Sequence, residues 1–439
     1  VSGGPDVVVV GAGVAGLAAA IAARRAGAEV WLVEGPGGAS ALAGGAWDLA
    51  TDRREKRPLV AAARTIEDAI DDFDRERPGH PLARLPRDEV IRAVTASHRA
   101  VLGRLAIYRP LGVHADAEIV VGDLGLPRRA ALAQHTVLDL ARIPGARIAV
   151  AWMRALRSFD GRFIAASLNE QAVRSGDRRR FAAVEIEFLR RTTDTLMHPH
   201  EAAALLDQED ARARAAAALV RGVGGMGFEA LLVPPVLGLN DLGVQHALET
   251  AVGIPVGESV EALAGAQSVR LARRISDALD AEGVVRRRAR ALRVTVDAEG
   301  PAVELEIGES LYPGALVLAT GKLVGGGIVL AGGEPREPLA GLPIWSGGKP
   351  LGPSSNTRGR DFASLFGDNP FEPGAGFALG VGFDAELRPL DAHGRIVSRN
   401  LFACGALLEG VSEGDGTGLG TAVTTGWLAG TRAAARAGR

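Results

Sequence analysis

Gly11, Gly13 and Gly16 stand in the order G-x-G-x-x-G, and Glu34 follows at the end of the next apolar run. In this spacing the backbone, not a side chain, meets the ligand. Gly11 permits a tight turn, Gly13 has no Cβ to hold a pyrophosphate away from the main chain, and Gly16 allows a helix to lie close on a strand. Val14 and Ala15 supply amide N–H groups at the helix start, where the dipole also favours phosphate. Glu34 lies roughly 20 residues on, where a carboxylate accepts ribose hydroxyls. Its charge would repel a 2′-phosphate, so an unphosphorylated adenosine is favoured.

The elements that must position these residues are legible on both sides. Val7 to Val10 is β-branched throughout and suits a strand buried on both faces. Leu17 to Ala26 predicts an Ala-rich helix ended by Gly27, and Glu29 to Val33 a second strand. Strand, glycine turn, helix, strand and acid together are far more specific than the glycines alone. The stretch Val7 to Ala23 is too short and glycine-rich for a membrane span, and Asp6 before it argues against a secretory leader.

With 439 residues there is room for two or three domains. A net charge of −2 offers nucleic acid no general attraction. The single cysteine, Cys404, excludes an internal disulfide and a cysteine-ligated iron–sulfur cluster within the chain, and is compatible with a reducing cytoplasm. The 58 glycines sit in short loops without a repeat, so tight turns and close ligand approach explain them.

After Glu34, Gly35, Gly37, Gly38, Ser40, Gly44 and Gly45 form a small-residue loop that suits either room for a flavin ring or a plain surface loop. Further on, 64–85 contains a helix and then RPGHPLARL, 88–105 predicts another helix, and His80 beside Pro81 suits either a side chain that reaches a pocket or a satisfied structural histidine at a turn. The segment 111–139 reads as β-rich, and Arg128 and Arg129 suit an anionic ligand or a solvated basic pair equally. A strand is expected over 146–152, a helix and the strand Phe181 to Phe188 within 159–189, one helix over 199–221, and a buried strand over Ala230 to Leu239 that breaks at two prolines. His198 and His200 flank Pro199, but nothing suitably spaced completes a metal set, so no metal is expected.

From 267 the pattern returns to nucleotide binding. A helix over 270–280 precedes strands at 290–296 and 303–307, and Ala315 to Ala319 runs into Thr320 and Gly321. The Gly/Pro-rich 337–384, with Lys349, Arg358 and Arg360, is expected to cover a ligand or a subunit contact; Arg128, Arg129 and Arg358 are the weak candidates for a reactive role. Asn400 to Cys404 predicts a strand ending at Gly405. Gly418, Leu419 and Gly420 then lead into a helix starting near Thr421, whose N-terminus would face the pyrimidine side of a flavin. The fold class expected is α/β, Rossmann-like, of the FAD/NAD(P)-binding flavoprotein type with an inserted α+β cap domain. The flavin-binding parts are 1–65, 265–345 and 390–439; 66–264 is the inserted cap and 346–389 a covering segment.

AGGAWDLA, HPLARL, VPPVLGL, ATGKLVGGGI, EPLAGLP, ELRP and NLFACGALLEG occur in this order along nearly the whole chain. The series resembles the B-subunit family of anaerobic glycerol-3-phosphate dehydrogenase. That resemblance implies a flavin subunit relaying electrons in the oxidation of sn-glycerol 3-phosphate to dihydroxyacetone phosphate, with quinone as final acceptor. It implies two partners, a catalytic FAD subunit and an iron–sulfur subunit, and a cytoplasmic site with only indirect contact with the membrane. The family is usually assigned FMN, whereas Glu34 favours FAD. The loop EGDGTGLGTA also departs from the family's frequent Gly-Cys-Gly run. The residues alone leave open a self-sufficient FAD dehydrogenase of a small organic acid, or a flavin-bearing structural subunit.

Overall fold

Val7, Val8 and Val9 are fully sealed from solvent and Val10 nearly so, as a strand with neighbours on both edges and helices over both faces requires. The computed structural model describes residues 4–438 except 48, 50–58, 60–64, 111–117, 123, 144, 146, 190–195, 261–264, 353–374 and 413–417. The strand β1 (Val7–Val10) lies at the middle of a parallel sheet with β2 (Val30–Val33), β3 (Val285–Arg287), β4 (Ala315–Leu318) and β5 (Leu401–Ala403), in the spatial order β5-β4-β1-β2-β3. Val8 stands opposite Leu316 on one side and Trp31 on the other. From β1 the chain builds outward through β2 to β3, then crosses to add β4 and β5 on the opposite side. The order therefore reverses between β1 and β4, and a crevice opens beyond the C-terminal ends of these two strands.

Four helices matter for that crevice: α1 (Val14–Arg25), α2 (Pro81–Arg84), α3 (Ala266–Ala281) and α4 (Gly418–Ala437). The first and last lie side by side and run in the same direction. A Cβ on Gly426 would sit 2.3 Å from the Ala15 carbonyl oxygen, and one on Gly430 would sit 2.1 Å from that of Ala19. Small residues on both helices bring the two backbones into contact, so the N-termini of α1 and α4 end at the same side of the sheet. Both helices begin three residues earlier than the sequence predicts, at Val14 and Gly418. Gly16 thus falls within the first turn of α1, where a Cβ would lie 1.8 Å from the Gly11 carbonyl oxygen.

The inserted region carries its own four-stranded parallel sheet, in the order Arg180–Glu185, Arg147–Trp152, Ala230–Val233, Val256–Glu258, beside the antiparallel pair Glu118–Val121 and Pro127–Ala130. The strand expected over 181–188 thus stops at Glu185. The strand expected over 230–239 ends at Val233, before the two prolines. The long helix expected over 199–221 divides into Pro199–Leu206 and Glu209–Val223. The break serves Asp207, whose carboxylate accepts the amides of Leu239 (2.9 Å), Asn240 (3.0 Å) and Asp241 (3.1 Å). His198 and His200 stack at 5.6 Å on the surface.

A buried polar cluster joins this sheet to α3. The Arg270 guanidinium donates to Glu258 (2.6 Å), Gln134 (2.9 Å) and Thr136 (2.8 Å). Glu258 also accepts from Thr136 (2.7 Å) and Gln267 (3.0 Å). Neither charged side chain reaches solvent. Such a pair survives burial only with this degree of hydrogen bonding.

Candidate cofactor site

The turn after β1 is built for a ligand to touch its backbone. Gly11 has φ +114, and a Cβ there would lie 2.3 Å from the Ala319 carbonyl oxygen of β4's exit. Gly13 is the N-cap of α1 and offers no side-chain cap. The Val14 amide donates to the Ser40 hydroxyl at 3.1 Å, so the small-residue loop after Glu34 folds back over the helix start. Ala15 and Gly16 complete the first turn of α1 and are buried.

The turn after β4 closes the other wall. Gly321 has φ +72, and a Cβ on Gly327 would come within 2.1 Å of its carbonyl oxygen. A Cβ on Gly38 would lie 3.5 Å from the Cα of Gly325, so the loops after β2 and β4 meet. The Thr320 hydroxyl oxygen is buried and has no hydrogen-bond partner among the described residues. A buried hydroxyl without a partner is costly, and here it stands between glycine turns. That orphan, with the helix starts beside it, fits a polar phosphate-bearing ligand such as FAD.

The third wall comes from β5 and α4. The Gly405 amide donates to the Thr425 hydroxyl at 2.9 Å, and that hydroxyl donates to the Thr421 carbonyl at 2.7 Å. These two bonds tie the exit of β5 to the first turns of α4, where Gly418 and Leu419 are half-buried and Gly420 and Thr421 buried.

Glu34 stands at the end of β2 as the sequence predicts, but not as a bare carboxylate. The Arg286 guanidinium donates to it, and Arg288 approaches at 3.8 Å. Arg286 also bonds Ser276 at 2.7 Å and Asp280 at 3.0 Å. Burial works against its charge, but the hydrogen bonds to Glu34 and Asp280 prevail and raise its pKa. The charge of Glu34 is met by a neighbour 252 positions later in the chain, which the local pattern could not foresee. Gly35 is exposed with open space around it. The room beside Gly45 is also not empty: a Cβ there would meet Gln134 at 2.6 Å and the Tyr108 hydroxyl at 2.9 Å. Smallness at Gly45 is used by protein packing, while its neighbour Gly44 is half-buried.

Arg128 and Arg129 lie on one strand, opposite Val120 and Ile119. Successive strand residues point to opposite faces, so the two cannot converge on one anion; Arg129 is buried and Arg128 half-buried. Arg358 lies outside the described residues. Two further side chains stand at the walls. Lys322, next after Gly321, is buried and donates to the Val411 carbonyl. His80 is buried against Thr421 at 3.4 Å. ATGKL and HPLAR were the available signals for them.

A parallel sheet whose switch point receives two helix N-termini and three glycine turns defines a dinucleotide-binding flavoprotein of the α/β class. The family described as an FAD binding domain matches residues 6–419. The chain belongs to that family: it is a flavin-dependent oxidoreductase, and its cofactor is FAD. It is 27% identical over 431 residues to the B-subunit of anaerobic glycerol-3-phosphate dehydrogenase from Pectobacterium atrosepticum, covering 94% of this chain and 95% of that one. A probable B-subunit of the same enzyme from Halobacterium salinarum is 33% identical over 211 residues, 46% of each chain. A 3-ketosteroid dehydrogenase structure from Rhodococcus jostii aligns over 98% of this chain and 96% of its own, with 15% identity and a TM-score of 0.42.

Proposed function

We propose that this chain is the flavin-bearing relay subunit of a multi-subunit dehydrogenase that oxidises sn-glycerol 3-phosphate to dihydroxyacetone phosphate and delivers the electrons to quinone. The supporting observation is the near full-length similarity to a protein named as the B-subunit of anaerobic glycerol-3-phosphate dehydrogenase. A catalytic FAD subunit and an iron–sulfur subunit are the partners. The chain works in the cytoplasm and meets the inner face of the membrane through them. Among the described residues no helix is long and apolar enough to cross a membrane.

The parts 1–65, 265–345 and 390–439 form the flavin-binding unit, with 66–264 inserted as a cap and 346–389 as a cover. Gly11, Gly13, Val14, Ala15 and Gly16 would hold the pyrophosphate, Glu34, Gly35 and Ser40 the adenosine side, and Thr320, Gly321 and Gly405 the ribityl region. Gly418, Leu419, Gly420 and Thr421 would face the pyrimidine. FAD supplies the two-electron chemistry; the chain's own groups bind it through backbone amides, orient it and place a helix N-terminus where negative charge develops.

The test is anaerobic. The purified chain is mixed with sn-glycerol 3-phosphate alone and then with the partner subunits, and flavin absorbance is followed. Bleaching only in the presence of the partners supports the relay. Bleaching of the lone chain would replace it with a self-sufficient dehydrogenase, and no bleaching in either case with a structural subunit.

A further inference from the structure

The four-residue helix α2 reaches from the region outside the main sheet into the wall of the cofactor crevice, and both its ends hold on to that wall. At its N-cap, His80 stacks on Phe73 with ring centroids 4.3 Å apart and planes 20° from parallel, which fixes the plane of the imidazole. Its Nδ1 accepts the Leu82 amide at 3.2 Å and so carries no proton. The proton of the neutral ring is then on Nε2, which donates to the Thr421 hydroxyl at 3.4 Å. At the other end, Arg84 donates to the buried Glu409 carboxylate at 2.8 Å and to the Phe383 carbonyl at 3.1 Å. The second Glu409 oxygen accepts the Gly348 amide at 2.6 Å. Between these anchors the backbones touch: Gly410 has φ +88, and a Cβ on it would lie 2.0 Å from the Gly79 carbonyl oxygen.

We propose that His80 is a positioning residue: with Arg84 as the second anchor, it sets the pose of the first turn of α4, and thereby the redox potential of the bound flavin. This rests on the placement of the pyrimidine at the N-terminus of α4 given above. The first turn of α4 itself carries Gly418 and Gly420, and glycine restrains a helix start less than other residues do. The His80–Thr421 bond supplies a fixed point on one side of this turn, and the Gly405–Thr425 bond supplies the other. A helix start held in place stabilises the charge that reduction puts on the ring; one free to swing does so less.

The experiment uses the full chain loaded with FAD and three variants. His80→Asn keeps a good N-cap acceptor for the Leu82 amide but is too short to reach Thr421. Thr421→Val removes the hydroxyl and keeps the shape. The third variant carries both changes. The midpoint potential is measured by dye equilibration, and FAD affinity by reconstitution of the apoprotein. Each single change should weaken binding of reduced FAD by about threefold to tenfold, the range of one lost neutral hydrogen bond, and more than that of oxidised FAD. The potential therefore falls, a tenfold difference corresponding to about 30 mV for two electrons. The double variant should be no worse than either single one. An unchanged potential in both single variants, or additive shifts in the double variant, overturns the proposal, and Thr421→Val decides if His80→Asn fails to fold. A failure of the underlying placement shows differently: Gly418→Asp, whose Cβ meets nothing within 4 Å and which sets a carboxylate at the α4 start, would then leave both the potential and FAD affinity at the wild-type values.

Discussion

Gly430 poses a contest between two effects of opposite sign. It lies inside α4, where replacing glycine with alanine should stabilise the helix by about 1 kcal/mol through propensity. The added Cβ, however, would lie 2.1 Å from the Ala19 carbonyl oxygen, whereas ordinary contact begins at 3.4 Å. The obstacle is main chain in the middle of α1 and cannot rotate away. Relief requires the two helices to separate by roughly 1 Å, and overpacking of that kind costs about 1–3 kcal/mol. The expected net result for Gly430→Ala is no gain and a loss of up to roughly 2 kcal/mol. A shift of on the order of 1 Å also misplaces the amides at the start of α1, so FAD affinity should fall by more than the stability does. Gly103→Ala is the control: it too is helical, at φ −59, and nothing lies within 4 Å of the new methyl. It should be neutral or slightly stabilising. Urea unfolding of the apoproteins followed by circular dichroism, with FAD titration of each, separates the cases. If Gly430→Ala gained stability as Gly103→Ala does, the close packing of α1 on α4 would be refuted.

Three further outcomes follow from buried groups. Arg270→Ala should cost about 3–5 kcal/mol, because it strands the buried Glu258 carboxylate, whereas Arg270→Met combined with Glu258→Leu should cost less than the single change; denaturant midpoints of the two variants decide this. Burial pulls His98 from its ordinary 6.5 to about 4. The folded state thus binds fewer protons, and this contribution to stability is intact above pH 6.5 and shrinks as pH falls toward 4, by about 3 kcal/mol at most; His98→Phe should flatten the melting temperature over this window. Burial pushes the Cys404 thiol up to about 12. A thiol reagent at pH 8 should therefore find no reactive group in the folded chain and one after denaturation.

The sequence revealed the parts of the site that depend on local pattern. Val7–Val10, the three glycines and Glu34 could be read because strand, turn and helix periodicities are encoded within thirty residues. Thr320 and Gly405 could be placed because each ends an apolar run. What stayed hidden depends on pairs far apart in the chain. Nothing near Glu34 announces that Arg286 will hold it, and nothing around Gly45 tells that Gln134 will fill the space beside it. His80 looked like an ordinary turn histidine, since its partner Thr421 lies 341 positions away. The early starts of α1 and α4 escaped because glycine is a poor helix former, and only tertiary contact recruits it into a first turn.

The strand order β5-β4-β1-β2-β3 bears on how the protein is made. On the ribosome β1 waits for β4 through roughly 300 further residues, and the start of α1 waits for α4 through roughly 400, on the order of tens of seconds of synthesis at ordinary rates. In that interval the most apolar strand of the chain has one edge uncovered, and the coenzyme has only half a binding site. The FAD site is therefore complete only once α4 has been made.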